Sequence, residues 1–277
     1  MRANVSRYDL RAPDGLTEAL HLVSNGWKPL AGGTDLMVLL EAGKLAERRL
    51  AGLWKLDELR GIEVGDETIT LGALTIFAEL RHSPVVGLNL PLLASAAAEI
   101  GGVANQNRAT LGGNLANASP AADAAPALLV YDAELEIVSL EGTRRVPYHQ
   151  FHRGYKEMDL RAGELIARIH LPNGRGRWQG CWRKVATRAA QAITKVSLAA
   201  AARVEEGRIA EIRIAYGAVA PYPLRCHRME AALRGAALPA QLPPFDELAP
   251  IDDFRSTARY RLKVARNLME TFLASLA

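Results

Sequence analysis

The sequence predicts an α+β protein built in three consecutive parts: a small βαβ lobe over residues 1–57, a middle α/β lobe over 58–173, and a C-terminal sheet with helices over 174–277. Three observations carry that prediction. Near the N-terminus a Gly pair, Gly32-Gly33, stands between an extended run and a helical one, which is the order of a βαβ unit. Residues 62–72 alternate apolar and polar side chains around Gly65-Asp66, the pattern of a half-buried hairpin. Past the polar, Gly-rich stretch 173–177, strand-like runs follow one another and end in a helical pattern with one apolar face.

The elements can be justified in order. Residues 16–23 have the apolar spacing of a short amphipathic helix that Asn25-Gly26 would end. Residues 28–30 enter the Gly pair as a strand, Thr34 or Asp35 caps a helix over 36–40, and 52–56 return as a strand. In the middle lobe Thr75 is placed to cap a helix through Arg81, and Pro91 to open one over 92–100. Residues 101–120 read as a long loop, because the stretch from Asn105 to Asp123 is rich in Asn, Gly, Ala and Ser with no charge between Arg108 and Asp123. Helix returns over 121–130 with Asp123 in its first turn, and 133–140 and 165–171 read as strands. In the last part 180–186, 193–204 and 209–218 read as three strands, and 227–233 and 253–275 as helices. The final helix sets Ala258, Leu262, Ala265, Leu268, Met269, Phe272 and Leu276 along one face, as packing on a sheet requires.

Composition removes several function classes. The chain is 49% hydrophobic and 23% charged, ordinary for a globular protein, and its net charge of +4 is spread among mixed acids and bases. With aromatics at 6%, nothing suggests a stacking, basic nucleic-acid surface. Cys181 and Cys226 are the only cysteines and lie in no metal-ligand spacing, which speaks against a resident iron–sulfur cluster or zinc and suits a reducing, cytoplasmic location. No apolar run approaches the ~18 residues of a membrane span. There is no GxSxG and no GxxxxGK[ST], while Gly174, Gly176 and Gly180 miss the GxGxxG spacing by one residue. His149 and His152 have no carboxylate or Cys beside them and read as turn or surface residues.

What remains is a pair of similar loops, one around Gly32-Gly33 and one around Gly112-Gly113. A lone Gly pair is ordinarily a tight turn. Two of them, each leading into a helical pattern, could surround an anionic diphosphate with backbone N–H groups, helped by the positive end of a helix. Lacking an acid/base set, such a chain fits a redox cofactor that carries its own reaction, and flavin fits better than nicotinamide because the dinucleotide fingerprint is missing.

At this point the motifs resemble a known family. Residues 31–35 (AGGTD), 107–123 (NRATLGGNLANASPAAD), 169–172 (IHLP) and 184–188 (KVATR) are similar, in the right order, to the FAD-binding medium subunits of molybdenum hydroxylases, the xanthine dehydrogenase and carbon monoxide dehydrogenase family. The resemblance implies a two-lobed fold like that of vanillyl-alcohol oxidase and UDP-N-acetylmuramate dehydrogenase, with FAD between the lobes and a C-terminal three-stranded sheet with a helical bundle. It implies that Lys28, Pro29, Leu30, Ala31, Gly32, Gly33, Thr34 and Asp35, with Thr110, Leu111, Gly112, Gly113 and Asn114, enclose the diphosphate and ribityl region, the four glycines giving amide donors. Ile100 and Gly101 would border the cofactor and Asp123 would bind its ribose and adenine end. Leu165 and Ile166 would pack against the flavin, and Lys184 would lie near the carbonyl edge of its ring. The residues alone admit plainer roles: a helix-start acid for Asp123, strand core for Leu165 and Ile166, a surface lysine for Lys184.

The implied partners are a small subunit with [2Fe-2S] clusters and a large molybdopterin subunit, assembled as a dimer of heterotrimers, with NAD, a quinone or another molecule as final acceptor. A self-contained FAD oxidoreductase and a non-catalytic nucleotide-binding assembly module are the alternatives.

Overall fold

The computed structural model of the chain describes residues 5–174 and 178–277, so residues 175–177 of the polar junction lie outside the described residues. The first part contains β1 (Asp9–Arg11), α1 (Leu16–Ser24), β2 (Lys28–Leu30), α2 (Leu36–Glu41) and β3 (Arg49–Gly52). Both strand pairings are parallel and the order is β1-β3-β2, the crossover layout expected of a βαβ lobe. On α1, Ala19, Leu20, Leu22 and Val23 are buried and pack with Trp27, Leu53, Leu56 and Leu59, and with Val138, Leu165 and Ala167 of the next part. The last strand of the lobe lies earlier than residues 52–56; past it the Leu53 amide still donates to the Leu30 carbonyl at 2.8 Å, and Leu53 and Leu56 are buried in this cluster. Helix α2 differs from expectation as well. Asp35 occupies the N-cap position in helical geometry and its side chain makes no capping bond, and none of the six residues of the helix is buried.

The middle part holds β4 (Ile62–Val64), β5 (Thr68–Gly72), α3 (Phe77–His82), α4 (Pro84–Asn89), α5 (Pro91–Glu99), α6 (Val103–Gln106), α7 (Leu111–Ala116) and α8 (Ala124–Val130). After these come β6 (Glu134–Ser139), β7 (Gly142–Pro147), α9 (Tyr148–Phe151), β8 (His152–Gly154), β9 (Glu157–Met158) and β10 (Leu165–Pro172). Its main sheet is antiparallel in the order β4-β5-β10-β6-β7. Thr75 does not cap α3; its hydroxyl donates to the Gly61 carbonyl, and Glu79 instead accepts from the Ile76 amide. Residues 101–120 are not one loop. Thr110 accepts from the Gly113 amide at 3.1 Å and so starts α7 at the second Gly pair.

The last part comprises β11 (Gln179–Val185), β12 (Val196–Glu205), β13 (Arg208–Gly217), β14 (Leu224–Arg225), α10 (His227–Leu233) and α11 (Ala258–Ala274). The sheet has four strands rather than three, because the chain returns after β13 and pairs Leu224 and Arg225 with Tyr216 and Ala215. Strand β12 is buried on both faces. Leu198, Ala200 and Ala202 lie in the cluster that α11 covers with Ala265, Met269 and Phe272, while Ala199 and Ala201 lie in the core of the middle part with α8. The apolar face expected on the last helix is there, but the helix begins later, at Ala258, where Thr257 accepts from the Tyr260 amide. Both cysteines are free thiols, Cys226 buried and Cys181 half-buried.

Candidate cofactor site

The two Gly-pair segments meet in space. A Cβ on Gly32 would lie 1.8 Å from the Arg108 carbonyl oxygen and 3.2 Å from the Ala109 Cα, so only glycine lets these backbones touch. Gly33 has φ +78°, the left-handed conformation that turns the chain from β2 toward α2. The Arg108 guanidinium stacks 3.8 Å from the Trp54 ring centroid, which ties the second segment to the turn after β3.

Where they meet, the lobes enclose a cavity of about 440 Å³. Leu53, Leu59, Leu74 and Leu165 form a continuous apolar wall from one buried cluster, and Ile166 lines it beside Leu165. Charged groups of the lining are Lys28, Asp35, Glu47 and Lys156. Lys28 pairs with Glu47 at 3.3 Å. A hydrogen bond donated by its own backbone N–H, and then the Lys28 ammonium, hold the Glu47 carboxyl below its usual range.

The cavity separates donors from wall. The backbone N–H groups of Gly32, Gly33, Thr34 and Asp35 donate to no described residue. Those of the second segment are taken: Leu111 donates to the Thr75 carbonyl at 2.9 Å, Gly112 to Ala73 at 2.8 Å, and Asn114 to Thr110 at 3.0 Å. The amide-donor role expected of Gly112 and Gly113 is therefore already filled by the chain itself, in starting α7. Gly112 is small for a packing reason, since a Cβ there would sit 2.6 Å from that of Ala73. Asn114 keeps one unmet group, a buried side-chain oxygen with no hydrogen-bond partner among the described residues.

Of the predicted residues, Lys28, Pro29, Ala31, Gly32, Gly33, Thr34, Asp35, Thr110, Gly112, Gly113, Asn114, Leu165 and Ile166 line this cavity. Leu30 touches the Gly33 position from behind, and Leu111 is fully buried in the middle core. Ile100, Gly101, Asp123 and Lys184 are not in the lining and belong to a second locus. There the Lys184 ammonium donates to Asp123 Oδ2 at 2.7 Å and to the Glu99 carbonyl at 3.1 Å, next to Ile100. The Thr194 hydroxyl donates to Asp123 Oδ1, and Gln191 donates its amide to the Gly101 carbonyl at 2.9 Å.

Burial raises the Asp123 carboxyl above its usual range, against the opposing pull of Lys184 and Thr194. Lys184 is no surface lysine, with its side chain 4% exposed. Asp123 precedes α8 but makes no capping bond, because its carboxylate is committed to Lys184 and Thr194. Sequence reasoning missed Glu47, Asn117 and Lys156 in the lining. Lys156 sits in a hairpin of a three-residue and a two-residue strand, too short to leave an alternating pattern.

A row of unpaired amides on a glycine turn and an apolar wall fit a ligand that is an anionic diphosphate at one place and a flat apolar ring at another, while the orphaned Asn114 oxygen calls for a hydroxyl or N–H donor on it. Fold and cavity together define a two-lobed carrier of a nucleotide-like cofactor. Residues 6–174 match the family described as the FAD binding domain in molybdopterin dehydrogenase, and 182–276 match the CO dehydrogenase flavoprotein C-terminal domain. The chain belongs to the FAD-binding subunits of the molybdenum hydroxylase family, oxidoreductases that include the xanthine and carbon monoxide dehydrogenases.

Among its relatives, a xanthine dehydrogenase FAD-binding subunit of Escherichia coli O157:H7 is 32% identical, over 94% of this chain and 92% of the relative. The carbon monoxide dehydrogenase medium chain of Hydrogenophaga pseudoflava is 29% identical over 96% of each. A solved carbon monoxide dehydrogenase from that organism superposes with a TM-score of 0.89 at 28% identity, covering 96% of this chain and 95% of the other. Quinoline 2-oxidoreductase from Pseudomonas putida 86 gives 0.88 at 25% identity, covering 97% and 96%.

Proposed function

We propose that this subunit carries electrons inside a multi-subunit molybdenum-containing dehydrogenase, between redox centres held by partner chains and an external acceptor. The observation that carries the reading is the set of free amides at Gly32, Gly33, Thr34 and Asp35 beside the cavity. Bound there, FAD would supply one- and two-electron chemistry, linking a molybdopterin centre and [2Fe-2S] clusters on a large and a small partner subunit to NAD, a quinone or another acceptor.

The chain's own residues bind and shelter. The four amides offer donors to diphosphate oxygens at fixed positions, which costs little reorganisation. Leu53, Leu59, Leu74, Leu165 and Ile166 exclude water from the apolar portion. The resemblance assigns Asp123 to the ribose and Lys184 to the ring carbonyls; each is now the other's partner in a buried ion pair outside the cavity lining. Two cysteines cannot supply the four sulfur ligands of a [2Fe-2S] cluster, which supports placing such clusters on another chain.

Purification of the native assembly tests this reading. FAD, molybdenum and iron should co-elute with this chain in fixed stoichiometry, and the separated chain should retain FAD without substrate turnover. A single chain that oxidises an organic substrate unaided would overturn the proposal and favour a self-contained flavin enzyme.

A further inference from the structure

Among the described residues of the cavity lining, Lys156 is the lysine that no carboxylate pairs with. It stands at the tip of the β8–β9 hairpin in a left-handed conformation, φ +57°, which a lysine adopts at a cost. The turn holds its side chain against the lobe: the ammonium donates to the carbonyl and to the side-chain oxygen of Asn117, at 2.5 and 2.7 Å, just past the end of α7. Both partners are neutral. Among the described residues no Asp or Glu lies within ion-pair distance of it, whereas Lys28, the other lysine of the lining, is matched by Glu47.

Burial pushes the Lys156 ammonium below its ordinary range; Asp35 opposes this and Lys28 adds to it, which places the three groups in one electrostatic neighbourhood. Asp35 also ends the row of free amides. A solvent-exposed positive charge held by neutral partners only, beside unpaired N–H groups, is arranged for an anion that the chain does not contain.

We propose that Lys156 is a positioning residue for FAD, its ammonium pairing with the diphosphate beside the Gly32–Asp35 amides so that the hairpin helps hold the cofactor. The inference rests on the cavity being the FAD site. An ammonium–phosphate pair is both charge-assisted and salt-sensitive. Hydrophobic or purely steric contacts with the hairpin would show neither property.

The test is the dissociation constant for FAD of the full chain as wild type, Lys156→Met and Lys156→Arg, measured by flavin fluorescence across a range of salt. Methionine keeps the stem and removes the charge. Lys156→Met should weaken binding on the order of 10- to 100-fold at low salt, the gap narrowing as salt rises. Lys156→Arg should stay within about threefold of wild type, because the cation is restored.

A Lys156→Met chain that binds as wild type does, or is weakened equally at every salt concentration, overturns the proposal. So does a Lys156→Arg chain as weak as Lys156→Met, which would make the lysine a tether to Asn117 alone. A wild-type chain that binds no FAD would instead sink the cavity reading, and this proposal with it. Should Lys156→Met fail to fold, the salt dependence of wild-type FAD affinity decides, a flat profile refuting the pairing.

Discussion

Replacing Gly32 by alanine attacks the contact that brings the two loops together. The added methyl would sit 1.8 Å from the Arg108 carbonyl oxygen and 2.6 Å from its carbon, where real Cβ contacts essentially never fall below 3.0 Å. The segments must part by at least the difference, 3.0 − 1.8 = 1.2 Å, and the neighbour is backbone, which cannot rotate aside. Overpacking of this kind costs about 1–3 kcal/mol. If that strain is relieved by opening the cavity, FAD affinity falls on the order of 10- to 100-fold, at 1.4 kcal/mol per factor of ten.

The assay is the flavin-to-protein ratio after purification together with a titrated dissociation constant, with thermal unfolding run in parallel. Gly87→Ala in α4 is the control, since nothing lies within 4 Å of its Cβ, and it should leave FAD binding unchanged while adding up to about 1 kcal/mol of stability. Gly113→Ala should fall between the two, because its nearest obstacle, at 2.8 Å, is the Thr110 hydroxyl that also caps α7. A Gly32→Ala chain with wild-type affinity would refute the view that this backbone contact shapes the site.

Other consequences can be checked independently. Thr110→Val removes the side-chain acceptor at the start of α7 and should lower unfolding stability by about 1 kcal/mol in urea titrations. Arg225 is buried and bonds to Glu230, Asp132 and the Leu129 carbonyl, so Arg225→Met strands the Glu230 charge and should cost about 3–5 kcal/mol. The double variant with Glu230→Gln should be less damaged than Arg225→Met alone, and additive losses would contradict the pairing.

Asp253 offers a pH test. Burial would raise its carboxyl, but the Arg255 and Ser256 amides and the Arg261 and Arg255 guanidinium groups bring it from 3.8 down to about 2. Because the folded-state value is the lower one, its stabilising contribution is complete above about pH 4 and disappears as pH falls through 2. Solvent screening leaves on the order of 1 kcal/mol. Asp253→Asn should flatten the acid limb of the stability curve, and curves that run parallel to wild type would disprove the assignment.

Much of the fold was legible because local chemistry and tertiary position agree in it. The Gly32-Gly33 turn announced itself through residues that neither strand nor helix favours, and α11 through an apolar face that the sheet does bury. The second Gly pair misled for the opposite reason. Glycine weakens a helix, yet Thr110 caps this one and Ala73 demands the missing side chain, so α7 forms where propensity alone indicates loop. The β8–β9 hairpin was silent because two- and three-residue strands show no period, and with it went Lys156. Asp123 and Lys184 entered the reading only through the resemblance, as separate cofactor contacts, and only coordinates could reveal that they face each other across 61 positions.

The alanines of β12 bear on how this protein can be divided. With Ala199 and Ala201 in one core and Ala200 and Ala202 in the next, a single strand acts as the common wall of two compartments. The matches to 6–174 and 182–276 can be cut apart on paper, but a gene truncated between them would strip α8 of its cover and leave an oily surface open to water. Side chains bulkier than methyl groups on that strand would push helix and sheet apart, so the thinness of the wall holds the flavin-binding half and its companion to one shared fate.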